Sequence, residues 1–344
     1  MSRRPTLADV AREAGVSSAT VDRVLNGRLP VRAGTTQRVI AAAERIGYHA
    51  AALMRERQHE GGVRRTLAFC LQKRSDPFYC ALAEALQSAC ESRHPTPCIA
   101  RISFQDALEP AAIADQLREA ARAADAVAVV AVDHPHVNTA IAELQAQGKP
   151  VFTLLSDLSA PERAGYVGVD ARHSGRTVAW LLSRLAAPGP FAVFLGSHRY
   201  LGQEAAEGAF RSWLREHAPQ RVVLDTQVNL EDERLAYEAL QSLLAREPGL
   251  AGLYVAGGGV PGIVRALREH PTHVVSACTE LMPDRRAAMI DGVLDLVLVS
   301  PRERIATTAV ARMLEAVQCA AEGRPWPVAQ SFTQPFELHT PENL

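Results

Sequence analysis

The sequence predicts an all-α head followed by a two-lobed α/β core of two doubly wound parallel sheets. Three observations carry that expectation. The first 50 residues place apolar side chains at helical spacing around a glycine turn. From about residue 66 onward, short apolar runs alternate with amphipathic segments, and the alternation comes in two series. Charge is also unevenly divided. The 344-residue chain holds 37 basic and 38 acidic residues, a net of −1, yet residues 1–65 carry 12 arginines against six acids. That is +6 on the head and −7 on the remainder, the asymmetry of a small nucleic-acid module joined to a larger body.

In the head, Thr6 is placed to cap a helix, and Asp9 three residues on can reach back to its amide. Val10, Ala11 and Ala14 form the apolar stripe, and Gly15 supplies the turn. Ser17 caps a second helix with Val21, Val24 and Leu25 inward and Ser18, Ala19, Asp22 and Arg23 outward, ended by Asn26-Gly27. Two helices around a short glycine turn make a helix-turn-helix. A third helix is expected from about 35 to 46, with Val39, Ile40, Ala43 and Ile46 inward and Gly47 as its stop. Any three-helix bundle shows this periodicity. The +6 charge and the small polar residues opening the second helix separate the two readings, because a helix N-terminus and hydroxyls suit phosphates and base edges.

Thr6-Leu7-Ala8-Asp9-Val10-Ala11-Arg12-Glu13-Ala14-Gly15-Val16-Ser17, then Ala19-Thr20-Val21-Asp22-Arg23-Val24-Leu25-Asn26-Gly27, closely resembles the head of LacI/GalR-family transcription regulators. Thr35, Val39, Ala42-Ala43 and Ile46-Gly47-Tyr48 continue the likeness. The resemblance implies that the second helix enters the major groove, with Ser18 and Ala19 at the base-reading positions and Arg23 on a base or phosphate. Ser17, Thr20 and Asn26, helped by Thr6, Thr35 and Tyr48, are implied to hold the backbone. Ser18 and Ala19 are short, which shifts readout toward Arg23, methyl contacts and DNA shape. Asp22 stands where the family has serine and repels phosphates unless it faces a cytosine amine or pairs with Arg23.

The segment Tyr48-His49-Ala50-Ala51-Ala52-Leu53-Met54-Arg55-Glu56-Arg57 lacks the family's Pro-Asn pair, and Arg57 falls where a leucine wedge is expected in the minor groove. Leu53 or Met54 after a register change, or Arg57 by charge attraction, are the three alternatives.

The body begins after Gly61-Gly62. Apolar runs at 66–71, 98–104, 126–132 and 151–155 alternate with helices near 78–93, 109–122 and 136–147. A second series has runs at 191–195, 221–228, 252–256 and 274–277, with helices near 173–186, 203–217, 231–246, 260–270 and 284–291. Such alternation means parallel sheets covered on both faces, with ligands taken at strand C-termini and between the lobes. The body is similar to the family's effector core, itself like periplasmic sugar-binding proteins, at Ser75-Asp76-Pro77-Phe78-Tyr79, Ser156-Asp157-Leu158, Tyr166-Val167-Gly168-Val169-Asp170, Thr279-Glu280-Leu281, and the run 295–299 leading into a helix over 301–322. The expected domains are 1–49 (helix-turn-helix), 50–65 (hinge) and 66–344 (effector-binding and dimerisation core). Within the core, the N-lobe takes about 66–165 plus 297–325 and the C-lobe about 166–296 plus 326–344.

Where sugar-responsive members grip hydroxyls, local alignment places Leu154, Ala205, Gly257, Thr279 and Val299, only one of which keeps a hydroxyl. The candidate effector contacts are Phe78 and Tyr79 for stacking, Asp157 and Glu280 as compensating acids, His198, Arg199, Tyr200 and Gln203 on a loop and helix start, and Gly257 and Thr279. Three readings of the pocket remain: a different or modified small metabolite, a sugar held atypically, or no effector.

Other chemistry is weaker. Gly257-Gly258-Gly259 lacks the spacing of a dinucleotide loop and reads as a pocket-wall turn. Asp133-His134-Pro135-His136 sits at a strand–helix junction, where Asp133 reads as a cap rather than a metal ligand. Ser197-His198 has no nucleophile-elbow frame, and Glu204 and Glu207 are helical neighbours, so no catalytic constellation and no cofactor is expected. The six cysteines have no Cys-x-x-Cys spacing and read as small buried hydrophobes. No apolar run approaches the ~18 residues of a membrane span, and no signal-peptide core is present, so a cytoplasmic location is expected. The expectation is a dimeric (or tetrameric) repressor of a pseudo-palindromic duplex operator, switched by a small effector. Its alternatives are a constitutive regulator with a vestigial pocket and an activator; a transport-type binding protein and an enzyme are the rivals from other classes.

Overall fold

The computed structural model describes residues 5–26, 31–51, 54, 64–93, 98–106 and 109–344. They form two compact units, the helical head and the α/β body. The head contains α1 (Leu7–Ala14), α2 (Ser18–Asn26) and α3 (Ala33–Arg45). Val10, Val21, Val24, Val39, Ile40 and Ala43 close its core, joined by Tyr48, Ala51 and Met54. An Arg45–Glu13 ion pair ties α3 to α1.

The body holds two six-stranded sheets. The first contains β1 (Thr66–Gln72), β2 (Ile99–Gln105), β3 (Ala126–Val129), β4 (Val151–Leu154), β5 (Gly165–Val169) and β11 (Gln330–Gln334), in the order β11-β5-β4-β3-β1-β2. The second contains β6 (Phe191–Leu195), β7 (Gln227–Val228), β8 (Gly252–Val255), β9 (Val275–Thr279), β10 (Leu296–Val299) and β12 (Glu337–His339), in the order β12-β10-β9-β8-β6-β7. β6 through β10 pair in parallel, whereas β12 runs antiparallel to β10 and gives this sheet a mixed edge. The expected strand over 221–228 shrinks to Gln227–Val228 plus one bridge from Val223 to Phe191.

Helices cover the sheets as the alternation demands. In the first lobe these are α4 (Pro77–Glu91), α5 (Pro110–Arg122), α6 (Pro135–Ala146) and α12 (Arg302–Ala321). The second lobe has α7 (Ala171–Leu185), α8 (Leu201–His217), α9 (Glu233–Arg246), α10 (Val260–Glu269) and α11 (Pro283–Ile290). Strand β6 shows the period-2 logic: Ala192 and Phe194 pack with Leu240 and Ile263, while Phe191, Val193 and Leu195 pack with Val178, Leu182 and Phe210. Helices α7 and α8 touch at Gly175, where an added Cβ would stand 2.0 Å from the Ala206 carbonyl oxygen.

The lobe boundaries differ from the expected ones. β5 pairs with β4, β10 with β9 and β11 with β5, so the chain changes sheet after Val169, after Val299 and between Gln334 and Glu337. Each strand completes its ladder before the chain leaves, which puts all three crossovers at strand C-termini, beside the cleft.

The cysteines behave as small hydrophobes: Cys70, Cys90, Cys98 and Cys278 are buried. Burial pushes the Cys70 thiol up to about 11 and Cys278 to about 12. Among the described residues no helix is long and apolar enough to cross a membrane.

Candidate functional site

Two surfaces carry the residues singled out above. In the head, Thr6 and Asp9 form a full capping box: the Asp9 carboxylate accepts from the Thr6 amide at 2.9 Å, and the Asp9 amide donates to the Thr6 hydroxyl at 3.4 Å. Gly15 turns in the left-handed region at φ 65°. The Thr20 amide donates to Ser17 Oγ at 3.2 Å, and the two hydroxyls lie 2.9 Å apart, so Ser17 opens α2 as expected. Ser17, Ser18, Ala19, Asp22 and Arg23 are exposed together there, and Thr20 and Thr35 are half-buried. Asp22 accepts from the Asn26 side-chain amide at 2.7 Å, a third solution to its charge besides the two expected; it also occupies Asn26 as a backbone donor. Tyr48 keeps its ring in the head core, 8% exposed, against His49. Met54 is completely buried in that core. Gly27, Leu53 and Arg57 lie outside the described residues.

In the body a cavity of about 170 Å³ opens between the two sheets' C-terminal edges. Left-handed backbone at Leu155, Glu231 and Glu280 (φ 64°, 56° and 63°) turns the chain sharply where β4, β7 and β9 end, a conformation that non-glycine residues adopt at a cost. The lobes are tied across the cleft. Tyr200 donates to the buried Gln72 Oε1 at 2.7 Å, where Tyr79 also donates at 3.3 Å, and Gln72 Nε2 donates to the Val130 carbonyl. Gly202 N donates to Ser156 Oγ at 3.1 Å, and Lys73 Nζ to the Glu231 carbonyl at 2.9 Å. Burial, reinforced by the Glu231 charge, raises both tyrosine hydroxyls well above their ordinary value and keeps them as donors.

The C-lobe wall is a second network. Gln203 accepts from Gly196 N at 2.7 Å and donates to Glu231 at 2.8 Å, and Gly258 N also donates to Glu231. A Cβ at Gly257 would meet Gln203 Oε1 at 2.6 Å and Gly196 N at 2.7 Å, so the glycine run is the pocket-wall turn expected of it. Glu280 accepts from the Ser300 hydroxyl at 2.6 Å, and Arg285 Nη1 donates to the Glu280 carbonyl at 3.0 Å. Burial pushes the Glu280 carboxyl up to about 7, against the Ser300 hydrogen bonds and the nearby Arg285 and Arg302 charges.

Of the candidate effector contacts, Phe78, Tyr79, Tyr200, Gln203, Gly257, Thr279 and Glu280 line the cavity; Asp157, His198 and Arg199 do not. Asp157 is held by Arg163 through two 2.6 Å bonds and by the Thr153 hydroxyl at 2.8 Å, which fills its acceptor sites with a local clamp. His198 and Arg199 are exposed on the loop before α8, where the Arg199 carbonyl accepts from Asp133 N. Leu154, Ala205 and Val299 also miss the cavity, and their neighbours Leu155, Ala206 and Ser300 face it instead. The pocket is therefore not stripped of polar side chains: Asp76, Ser156, Glu231, Arg285 and Ser300 line it, none of which was among the candidate effector contacts. Two had visible signals, Asp76 within the quoted Ser-Asp-Pro-Phe-Tyr run and Ser156 within the quoted Ser-Asp-Leu run. Asp133, expected as a helix cap, accepts instead from Ser159 and Asn138, and His134 caps α6.

Residues 6–50 match the family described as bacterial regulatory proteins, lacI family, and residues 67–321 match the periplasmic binding protein domain. The HTH-type transcriptional regulator MalR of Streptomyces coelicolor is 33% identical over 171 residues, 48% of this chain and 46% of that protein, so the aligned part spans about half of that relative. An uncharacterized HTH-type transcriptional regulator from the aml 5' region of Streptomyces limosus is 29% identical over 91% of this chain and 88% of its own. Among solved structures, GanP, a glucose-galactose binding protein from Geobacillus stearothermophilus, superposes with a TM-score of 0.71 over 82% of this chain and 99% of its own; at 17% identity that likeness concerns the fold. The chain belongs to the lacI family of bacterial regulatory proteins, with a periplasmic binding protein domain as its body.

Proposed function

We propose that the chain is a cytoplasmic DNA-binding transcription regulator, a repressor, whose affinity for a pseudo-palindromic operator is set by a small molecule held between the lobes. The observation that carries the reading is the pairing of two features in one chain. One is a capped α2 whose exposed N-terminal face gathers Ser17, Ser18, Ala19 and Arg23. The other is a polar cavity closed by hydrogen bonds from both lobes, with all three crossovers beside it. Hydroxyls and backbone amides at α2 suit phosphates, and Arg23 suits a guanine edge or a phosphate. A ligand that contacts both lobes favours one arrangement of them, and a switch needs only that difference in affinity. The protein acts as a homodimer, since two heads reading two half-sites give a pseudo-palindrome.

The test is selection of duplexes from a random library by the full-length protein, followed by anisotropy titration at several salt concentrations. Enrichment of an inverted repeat with affinity falling steeply in salt is expected. Recovery of no common sequence overturns the reading, and a single-chain mass by gel filtration at micromolar concentration overturns the dimer.

A further inference from the structure

The cavity holds one group whose chemistry is unfinished. Arg285, at the start of α11, is only 7% exposed and lines the cleft. Its Nη1 donates to a neutral acceptor, the Glu280 carbonyl, and its Nε is buried with no partner. The Glu280 carboxylate is turned away to Ser300, and among the described residues no acid forms an ion pair with Arg285. The Glu280 carboxyl feels the Arg285 charge but closes no salt bridge with it, whereas buried charges are ordinarily paired directly and fully hydrogen-bonded. The planar fork of arginine is matched by a two-oxygen anion.

We propose that Arg285 is the anion grip of this cleft and that its effector is a small hydroxylated carboxylate, the carboxylate paired with the part of the guanidinium that lines the cavity. The inference rests on the cleft being the effector site. Three acids, Asp76, Glu231 and Glu280, also line the cavity, which disfavours a dianionic phosphate and admits a monoanion. Ligand hydroxyls have acceptors in Glu231 and a hydroxyl partner in Ser156, while Phe78 and Tyr254 give apolar walls. Glu280 titrates near neutrality, so it takes up a proton as the anion arrives rather than opposing it.

The experiment uses the full-length protein in calorimetric and thermal-shift titrations. The probes are D-gluconate, D-glucuronate and D-galacturonate, each beside its neutral counterpart, D-glucitol, D-glucose and D-galactose. Wild type, Arg285→Gln and Arg285→Lys are compared after their ligand-free melting points are measured, and the lysine variant carries the test if the glutamine variant does not fold. At least one acid is expected to bind more tightly than its neutral counterpart. Its affinity is expected to fall about tenfold or more in Arg285→Gln, with partial recovery in Arg285→Lys, which restores charge without the fork. Neutral sugars binding as well as their acids, acids binding undiminished to Arg285→Gln, or silence from all three acids overturns the assignment. Neutral-sugar binding with an intact operator response leaves the regulator reading standing, whereas acid binding without any operator affinity sinks that reading alone.

Discussion

Replacing Glu280 with glutamine is expected to remove a loss of stability that sets in as pH rises. Burial raises this carboxyl from 4.5 to about 7 in the folded protein, despite the Ser300 hydrogen bonds and the neighbouring arginines. The unfolded chain releases the proton near the ordinary value. Between about 4.5 and 7 the folded state holds a proton that the unfolded state does not, so stability falls across that window and levels off above it. At about 1.4 kcal/mol per pH unit the gap amounts to about 3 kcal/mol, and partial solvent contact reduces it, giving about 1–3 kcal/mol. Glutamine keeps a carbonyl acceptor for the Ser300 amide and hydroxyl but cannot ionise. In thermal scans of the full-length protein, wild type and Glu280→Gln are expected to melt together at about pH 5. At about pH 8 the variant is expected to melt later by roughly 2–6 °C. All other groups titrate alike in both proteins, so the difference isolates this site. Parallel profiles across the window would refute the burial argument, and a wild type that gains on the variant above pH 7 would reverse its sign.

Three further outcomes follow from single contacts. Arg23→Ala is expected to weaken binding to the selected operator by about 1–3 kcal/mol at fixed salt, measured by anisotropy; undiminished affinity removes Arg23 from the interface. Tyr200→Phe deletes the 2.7 Å bond across the lobes and leaves Gln72 Oε1 with only the 3.3 Å bond from Tyr79. A cost of about 1 kcal/mol in urea unfolding is expected, and an unchanged midpoint means that the bond does not hold the lobes. Thr6→Ala breaks the capping box and should cost the head about 1 kcal/mol, seen as faster amide exchange in α1 but not in the body; equal exchange in both proteins contradicts it.

The head was legible from sequence because its determinants are local: a cap and its partner three residues apart, apolar stripes at helical spacing, and left-handed glycines at Gly15 and Gly47. The alternation of the body was legible for the same reason. Sheet membership was not, because it depends on a distant neighbour: Gly165–Val169 reads as well for either lobe until its pairing with β4 is known. Gln330–Gln334 has no apolar run to announce it, being a polar edge strand. In the cleft, the left-handed turn at Leu155 sets Leu155 rather than Leu154 against the cavity, and at the end of β10 Ser300 rather than Val299 faces it. Asp157 looked like a ligand acid because nothing in its own segment reveals that Arg163 loops back to clamp it.

The coupling of cleft to operator is tested most directly by stapling the lobes. A Cβ at Gly202 would lie 3.6 Å from Ser156 Cα and 3.5 Å from its Oγ, close enough for a disulfide in the Ser156→Cys, Gly202→Cys double variant. Operator affinity is measured on oxidised and reduced protein, with each single variant as a control for the native cysteines. The expected result is a change of about tenfold or more on oxidation, reversed by reductant, since a coupling of 1–3 kcal/mol is typical of such switches. Equal affinities in the two states, with the staple formed, would contradict the claim that the cleft governs the head.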